Sequence, residues 1–195
     1  PIGLTGGNMT IYTCVEDLRR AAQRKVPRMF YDYVAAGSYS ESTMRANRAD
    51  LEKIRFRQRV LLDVSKRDTS TTILGEKAGL PLILAPVGSA GMQRADGEIL
   101  ALRAASAAGV PYTLSTNSIV SMEALAETVA KPFWFQLYVM RDRGFAADLI
   151  ARAKAAGCSA LVLTLDLQIL GQRHKDIKNG LSAPPKLTPT VLADL

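Results

Sequence analysis

Four short apolar segments between residues 81 and 164 constrain most strongly what this chain can fold into. Each segment is apolar throughout rather than alternating, which is typical of a parallel strand covered on both faces. They start 20 to 30 residues apart, and helical patterns lie between them at about 97–108, 121–129 and 142–156. The segments are Pro81–Pro86, Pro111–Ser115, Phe133–Leu137 and Ala160–Thr164. The sequence therefore predicts a series of βα units.

Repeated βα units build either an open Rossmann-type sheet or a closed eight-fold barrel. An internal repeat supports such units, because Arg103–Gly109 and Arg152–Gly157 are both alanine-rich helix ends closed by a glycine. The first strand is not followed by GxGxxG, and no GxxxxGK(S/T) occurs. The common nucleotide-binding fingerprints are therefore absent.

The segment before these units has a different pattern. Helical spacing predicts helices at about 14–25, 28–35 and 43–50, with Thr13 and Glu16 as a capping box for the first. Residues 55–77 are polar and β-branched, which predicts a short hairpin and loops. We therefore divide the chain into a helical arm and hairpin (1–79), four βα units (80–180) and the start of a long loop (181–195).

Composition excludes several functional classes. The single histidine, His174, rules out a multi-histidine metal site built by this chain alone, so we expect no metal. Cys14 and Cys158 form no CxxC pair, so no zinc site or redox dithiol is indicated, and free thiols suit a reducing cytoplasm. The net charge of +7 is spread along the chain, which argues against DNA binding. No apolar run reaches the length of a membrane span, and we expect no signal peptide.

Polar residues or glycine follow each apolar segment, where the active groups of a barrel lie. Amides, hydroxyls and exposed backbone suit the donor and acceptor edge of a neutral heterocycle, although serine, threonine and glycine also commonly end strands. The four ends are Pro86-Val87-Gly88, Ser115-Thr116-Asn117, Gln136-Leu137-Tyr138 and Thr164-Leu165-Asp166. Further on, Arg173 offers a planar bidentate donor for a carboxylate, or belongs to a solvated charged loop at 171–180. We expect His174, in the same loop, to be a surface residue.

Several short motifs along the chain share the order and spacing of one known family, from about residue 10 to 195. They are Tyr31-Asp32-Tyr33 with Gly37, Thr71–Gly75, Ala85–Gly88, Phe135–Val139, Leu170-Gly171 and Asp176–Gly180. Together they resemble the family of FMN-dependent 2-hydroxy-acid dehydrogenases and oxidases, which includes glycolate oxidase, lactate oxidase, mandelate dehydrogenase and L-lactate dehydrogenase. The sequence looks most similar to the bacterial quinone-linked L-lactate dehydrogenases.

The resemblance implies the N-terminal half of a TIM (β/α)8 barrel, about four βα units, preceded by a helical arm. It implies FMN as cofactor and oxidation of an L-2-hydroxy acid to the 2-oxo acid, with L-lactate as first substrate and mandelate or glycolate as second. Electrons would pass to quinone or another acceptor. The family also implies a homotetramer in the cytoplasm, with peripheral contact to the inner face of the cell membrane.

The resemblance also implies roles for individual residues. Backbone at Pro86, Val87 and Gly88 would lie against the flavin, and Ser115, Gln136 and Thr164 would hydrogen-bond its pyrimidine edge. Tyr33 and Arg173 would bind the substrate carboxylate. Tyr138 would hydrogen-bond the substrate hydroxyl, and Asp166 would pair with a catalytic histidine and stabilise its imidazolium.

The sequence departs from the family where the catalytic base should be. The Ser-Asn-His-Gly-type motif beyond strand six is absent, and His174 does not stand at the position of that base. Four βα units leave open strand edges and an uncovered apolar interior. We therefore expect a companion C-terminal half, in a separate chain or in further sequence, and residues 181–195 as the start of a mobile loop after strand four. A non-catalytic half-barrel, an O₂-using oxidase and a different flavin or phosphate-binding barrel remain alternatives.

Overall fold

The structure of the protein, a computed structural model, describes residues 11–167 and 169–181. The chain divides into a first unit, up to Ala49 together with the residues from Gly171 onward, and a second unit, Asp50–Leu170. The elements in chain order are α1 (Val15–Lys25), α2 (Arg28–Ala35), α3 (Ser42–Glu52), β1 (Thr71–Ile73), β2 (Glu76–Ala78), α4 (Ala90–Gln93), α5 (Gly97–Ala108), β3 (Thr113–Leu114), α6 (Met122–Val129), β4 (Trp134–Leu137), α7 (Arg143–Ala155), β5 (Ala160–Leu163) and α8 (His174–Lys178). The predicted loop at 181–195 lies outside the described residues apart from Leu181.

The predicted helices are confirmed, but the prediction that Thr13 and Glu16 form a capping box for α1 is wrong. Cys14 is the N-cap, and its side chain makes no capping hydrogen bond. The backbone N–H and the hydroxyl of Thr13 donate to Asp17 Oδ2 at 3.0 and 2.9 Å. Glu16 pairs instead with Arg19, whose guanidinium lies 2.6 Å away. The Glu16 carboxylate is thus paired with Arg19 one turn further on, and the Asp17 carboxylate accepts the hydrogen bonds from Thr13 instead.

A parallel three-stranded sheet in the order β3-β4-β5 forms the centre of the second unit. Its register pairs Leu114 with Phe135 and Phe135 with Leu161, so the three strands end at one edge. The predicted hairpin is present as the antiparallel pair β1–β2. The first predicted strand, however, forms only one bridge, between Leu84 and Tyr112. Proline at both ends of that segment removes ladder donors, which shortens the pairing.

The hydrophobic core lies between the sheet and the helices α5, α6 and α7. Each helix contributes one deeply buried leucine, namely Leu102, Leu125 and Leu149. Phe133 and Phe135, each 1% exposed, fill the space beneath them. Burying a leucine or phenylalanine side chain contributes roughly 1.5–3 kcal/mol. These contacts therefore hold the strand ends in fixed positions.

Burial differs between strands that the sequence predicts to be covered on both faces. All residues of β3 and β4 are buried, as predicted. In β5 burial alternates, and Leu161 and Leu163 are 46% and 49% exposed. The prediction is thus wrong for β5, because no described residue covers its second face. It is also wrong for the first segment, in which Leu82, Ile83 and Leu84 are 55%, 36% and 39% exposed.

No helix in the described part of the chain is long and apolar enough to cross a membrane. Within the same residues no cluster of three or more histidine, cysteine, aspartate or glutamate side chains could hold a metal ion.

Candidate active site

A row of hydrogen-bonded polar side chains crosses the carboxyl edge of the sheet. Gln136, the third residue of β4, is at its centre and is 3% exposed. Its Nε2 donates to Thr164 Oγ1 at 2.8 Å, directly after β5. Its Oε1 accepts from Ser115 Oγ at 3.4 Å, directly after β3. The structure thus brings together the three residues to which the family resemblance assigns one cofactor edge.

Thr116 also connects this edge, although the sequence analysis named it only as part of a strand end and assigned it no role. Its backbone N–H donates to Gln136 Oε1 at 3.1 Å, and its hydroxyl donates to the Gln136 carbonyl at 2.5 Å. The Thr116 hydroxyl also accepts from the N–H of Tyr138 at 3.1 Å. The sequence signal that could have identified Thr116 is its position one residue after Ser115. There the segments that follow β3 and β4 run side by side beyond the paired residues of the strands.

The segment Pro86-Val87-Gly88 follows the Leu84 bridge and precedes α4. Pro86 and Gly88 are partly buried and Val87 is 48% exposed. The next residue, Ser89, donates its backbone N–H to the carbonyl of Asn117 at 2.8 Å. The loops after the first and second strand segments are therefore directly connected.

A cleft of about 640 Å³ opens at the same edge of the second unit. Asn117, Tyr138, Arg143 and Thr164 line its polar part. Tyr138 and Thr164 therefore share one cavity. Asp166 is exposed, does not line this cleft, and makes no hydrogen bond or ion pair with any residue that the structure describes.

Tyr33 and Arg173 lie together in the first unit, although 140 positions separate them. The Arg173 guanidinium carbon is 5.3 Å from the centre of the Tyr33 ring, which is cation–π geometry. Its Nη2 donates to the Tyr33 carbonyl, and its Nε donates to Asp176 Oδ2. Asp176 is 8% exposed, and its Oδ1 has no hydrogen-bond partner among the described residues. The arginine is thus held in one orientation by a buried carboxylate to which the sequence analysis had assigned no role.

The segment around Arg173 is helical rather than the charged loop considered from sequence. Arg173 is the N-cap residue of α8, and Asn179 Nδ2 donates to Asp32 Oδ2 at 2.8 Å, which fastens α8 to α2. His174 is exposed, as expected, and its ring lies edge-on to Tyr39 with centroids 6.4 Å apart. The hydrogen bond to Asp32 of α2 therefore helps to stabilise this polar segment as a short helix.

Comparison with known proteins identifies the family. The family model described as FMN-dependent dehydrogenase matches residues 22–195. The chain belongs to this family. It is 49% identical over 182 residues to an L-lactate dehydrogenase of Haemophilus influenzae, covering 93% of this chain and 48% of that protein. It is 50% identical over 174 residues to an L-lactate dehydrogenase of Caulobacter vibrioides, covering 89% of this chain and 45% of that protein.

A solved structure gives the same assignment. The monotopic membrane protein (S)-mandelate dehydrogenase matches with a TM-score of 0.85 and 35% identity, covering 92% of this chain and 48% of that one. The resemblance seen in the sequence is thus confirmed, as is the expected α/β barrel class. The chain spans about half the length of the curated relatives that it matches.

Proposed function

We propose that this chain is the N-terminal half of an FMN-dependent dehydrogenase that oxidises an L-2-hydroxy acid to the 2-oxo acid. L-lactate is the first substrate, with mandelate or glycolate second, and quinone or another carrier accepts the electrons. The observation that carries the proposal is the row Ser115–Gln136–Thr164 at the carboxyl edge of the sheet. The identity to L-lactate dehydrogenases supports the substrate order.

The chemistry of this row fits a flavin. The pyrimidine edge of the isoalloxazine ring offers carbonyl acceptors and an N–H donor, which need neutral hydrogen-bonding partners in fixed positions. Ser115 and Gln136 are almost fully buried, and Thr164 is partly buried, so their amide and hydroxyl groups are preorganised. Backbone at Pro86, Val87 and Gly88 would lie against the ring. When bound, FMN supplies the two-electron acceptor.

The substrate carboxylate is assigned to Arg173 and Tyr33. Asp176 and the Tyr33 carbonyl hold Nε and Nη2 of Arg173, so the guanidinium plane has one orientation. A planar guanidinium binds a carboxylate through two parallel hydrogen bonds, which a lysine cannot do. This preorganisation would position the substrate before any proton moves.

Proton handling is assigned to Tyr138 and Asp166. The Tyr138 hydroxyl would hydrogen-bond the substrate hydroxyl and stabilise the oxygen as the carbonyl forms. Asp166 would orient a catalytic histidine and stabilise the imidazolium that results when that histidine takes the substrate proton. The exposed Asp166 carboxylate has no partner among the described residues, so it is available for this pairing.

The histidine itself is assigned to a companion C-terminal half. Leu161 and Leu163 expose about half of their side chains on β5, which suits a further strand layer packing against them. We also propose the arrangement of arm (1–79), βα units (80–180) and following loop (181–195), a homotetramer, and a cytoplasmic location with peripheral membrane contact. The monotopic (S)-mandelate dehydrogenase supports this last point.

An absorbance spectrum of the full-length protein tests the function. A flavin spectrum that bleaches when L-lactate is added without oxygen is the expected result. (S)-Mandelate and glycolate, added separately, rank the substrates, and D-lactate is the control that should leave the spectrum unchanged. Recovery of the colour with a quinone but not with air supports a dehydrogenase, whereas rapid recovery with air supports an oxidase. A colourless protein, or a flavin that no 2-hydroxy acid reduces, contradicts the proposal.

A further inference from the structure

Glu98, the second residue of α5, is a buried carboxylate to which no role has yet been assigned. It is 0% exposed, although glutamate is rarely buried without a partner. Its Oε1 accepts the backbone N–H of Gly91 at 3.1 Å and the backbone N–H of Ile119 at 3.0 Å. Its Oε2 is also buried and has no hydrogen-bond partner among the described residues. Burying a carboxylate is costly, and the two backbone N–H groups offset part of that cost.

The two N–H groups that Glu98 binds belong to different loops. Gly91 lies in α4, three residues after Gly88, and Ile119 lies in the loop that begins at Ser115 after β3. Both loops start at the carboxyl edge of the sheet, where the flavin-binding residues are proposed. One side chain thus connects the segment assigned to the flavin face with the segment assigned to the pyrimidine edge.

Close packing around this connection leaves little room for the loops to move. A Cβ added to Gly91 would lie 2.7 Å from Ile119 Cβ, and one added to Gly97 would lie 2.6 Å from the Ala90 carbonyl oxygen. Ser89 has a φ of 55° and Asp96 a φ of 57°, in the left-handed region that ordinary residues rarely adopt. Such conformations persist where the surrounding contacts determine the backbone strongly.

Tyr112 is the buried titratable neighbour of Glu98. Burial, with the Glu98 carboxylate as the second cause, raises the pKa of Tyr112 above its ordinary value. Tyr112 also forms the bridge to Leu84, at the base of the segment that leads to Pro86. The Glu98 carboxylate and the Tyr112 phenol are therefore both close to the place where the first strand segment leads into Pro86–Gly88.

We propose that Glu98 is a positioning residue that holds the backbone of Pro86–Gly88 at a fixed place relative to Ser115 through the N–H groups of Gly91 and Ile119, and so sets the flavin-binding edge. This inference rests on the proposed FMN site. Glu98 does not touch the substrate, and it acts only through the two loops that it joins.

Flavin binding by the full-length protein tests this role. Apoprotein of wild type, Glu98→Ala and Glu98→Gln is titrated with FMN, and the Kd and the visible spectrum of the bound flavin are recorded. We expect Glu98→Ala to raise the Kd about tenfold or more and to shift the flavin bands, because two part-buried N–H groups lose the acceptor that joins their loops. We expect Glu98→Gln to stay within a factor of about three of wild type, because its amide oxygen accepts both bonds. Glu123→Gln, which removes an exposed carboxylate from α6, is the matched control and should bind FMN as wild type does.

Each outcome is decisive. Glu98→Ala with a wild-type Kd and spectrum overturns the proposal. This holds even if the variant is less stable, since a loss of stability alone indicates a purely structural role. Equal damage in Glu98→Ala and Glu98→Gln also overturns it. If the alanine variant does not fold, Glu98→Asp replaces it: its shorter carboxylate should weaken FMN binding where Glu98→Gln does not, and wild-type binding by Glu98→Asp refutes the role. A wild-type apoprotein that does not take up FMN contradicts the proposed function itself.

Discussion

Replacing Gln136 with methionine gives a sharp test of the polar row at the sheet edge. Methionine has nearly the same length and shape, so packing around this buried position is largely retained. What is lost is the set of hydrogen bonds to Thr116 N, Ser115 Oγ and Thr164 Oγ1. The substitution therefore isolates the hydrogen-bonding role of a residue that is 3% exposed.

The expected loss of stability follows from these bonds. The Thr116 and Thr164 bonds, at 3.1 and 2.8 Å, have ordinary lengths, whereas the Ser115 contact at 3.4 Å is long and contributes little. At about 1 kcal/mol for each good bond, with an added penalty for the Thr116 amide that loses its acceptor, the total is about 2–3 kcal/mol. The full-length protein is about twice as long as this chain, judged from its relatives, so this loss lowers its melting temperature by about 2–4 °C.

The assay separates folding from cofactor binding. Thermal unfolding of the FMN-free, full-length protein gives the stability loss alone, and repeating it at a fixed excess of FMN gives the extra stabilisation due to binding. Gln136→Met should unfold earlier in the first measurement and gain less from FMN in the second. The control is Gln23→Met, the same change at an exposed position of α1, which should move neither value. Gln136→Met with wild-type melting and wild-type stabilisation by FMN would refute the reasoning.

Three further predictions follow from the structure. Arg173→Met should raise the KM for L-lactate at least about tenfold and lower kcat, with a smaller effect for Arg173→Lys, because a charge-assisted bidentate anchor is lost; an unchanged kcat/KM excludes the role. Cys158 should be alkylated by iodoacetamide at pH 8 far more slowly than the exposed Cys14, because burial raises the pKa of the Cys158 thiol to about 11 and leaves little thiolate; equal labelling in peptide mass spectra contradicts this. Glu123→Gln should cost less than about 1 kcal/mol at neutral pH, since the Glu123–Arg152 pair is exposed. Arg152 lowers the pKa of Glu123 to about 2, so the difference between wild type and Glu123→Gln is present above about pH 4.3, the unfolded pKa, and disappears as pH falls toward 2.

Local chemistry made the helices predictable. The α2 and α5 boundaries match the sequence prediction because proline and glycine mark them, with Pro27 before α2 and Gly109 closing α5 in the left-handed conformation. The capping box failed for an equally local reason. Glu16 and Asp17 are both within reach of the helix start, and only the placement of Arg19 decides which carboxylate binds Thr13.

The candidate site was predictable in part. Ser115, Gln136 and Thr164 each follow or end an apolar segment, and parallel strands bring such positions to one edge. Glu98 was not predictable as a buried residue, because its position near the start of a helix is equally typical of an exposed first-turn glutamate. Its burial depends on two segments, around Gly91 and Ile119, that close over it from opposite sides of the sequence.

Sequence by itself determined the longer helices, the βα class and the residue types at the strand ends. These features depend on periodicity and on glycine and proline, which act over a few neighbouring residues. Only the tertiary structure decided that Asp176 orients Arg173, that Thr116 and Gln136 share hydrogen bonds, and that Glu98 joins two loops. Some of these contacts link residues far apart in sequence, and the others depend on which of several neighbouring groups a side chain binds. Their strength arises from burial, which exists only after the chain has packed.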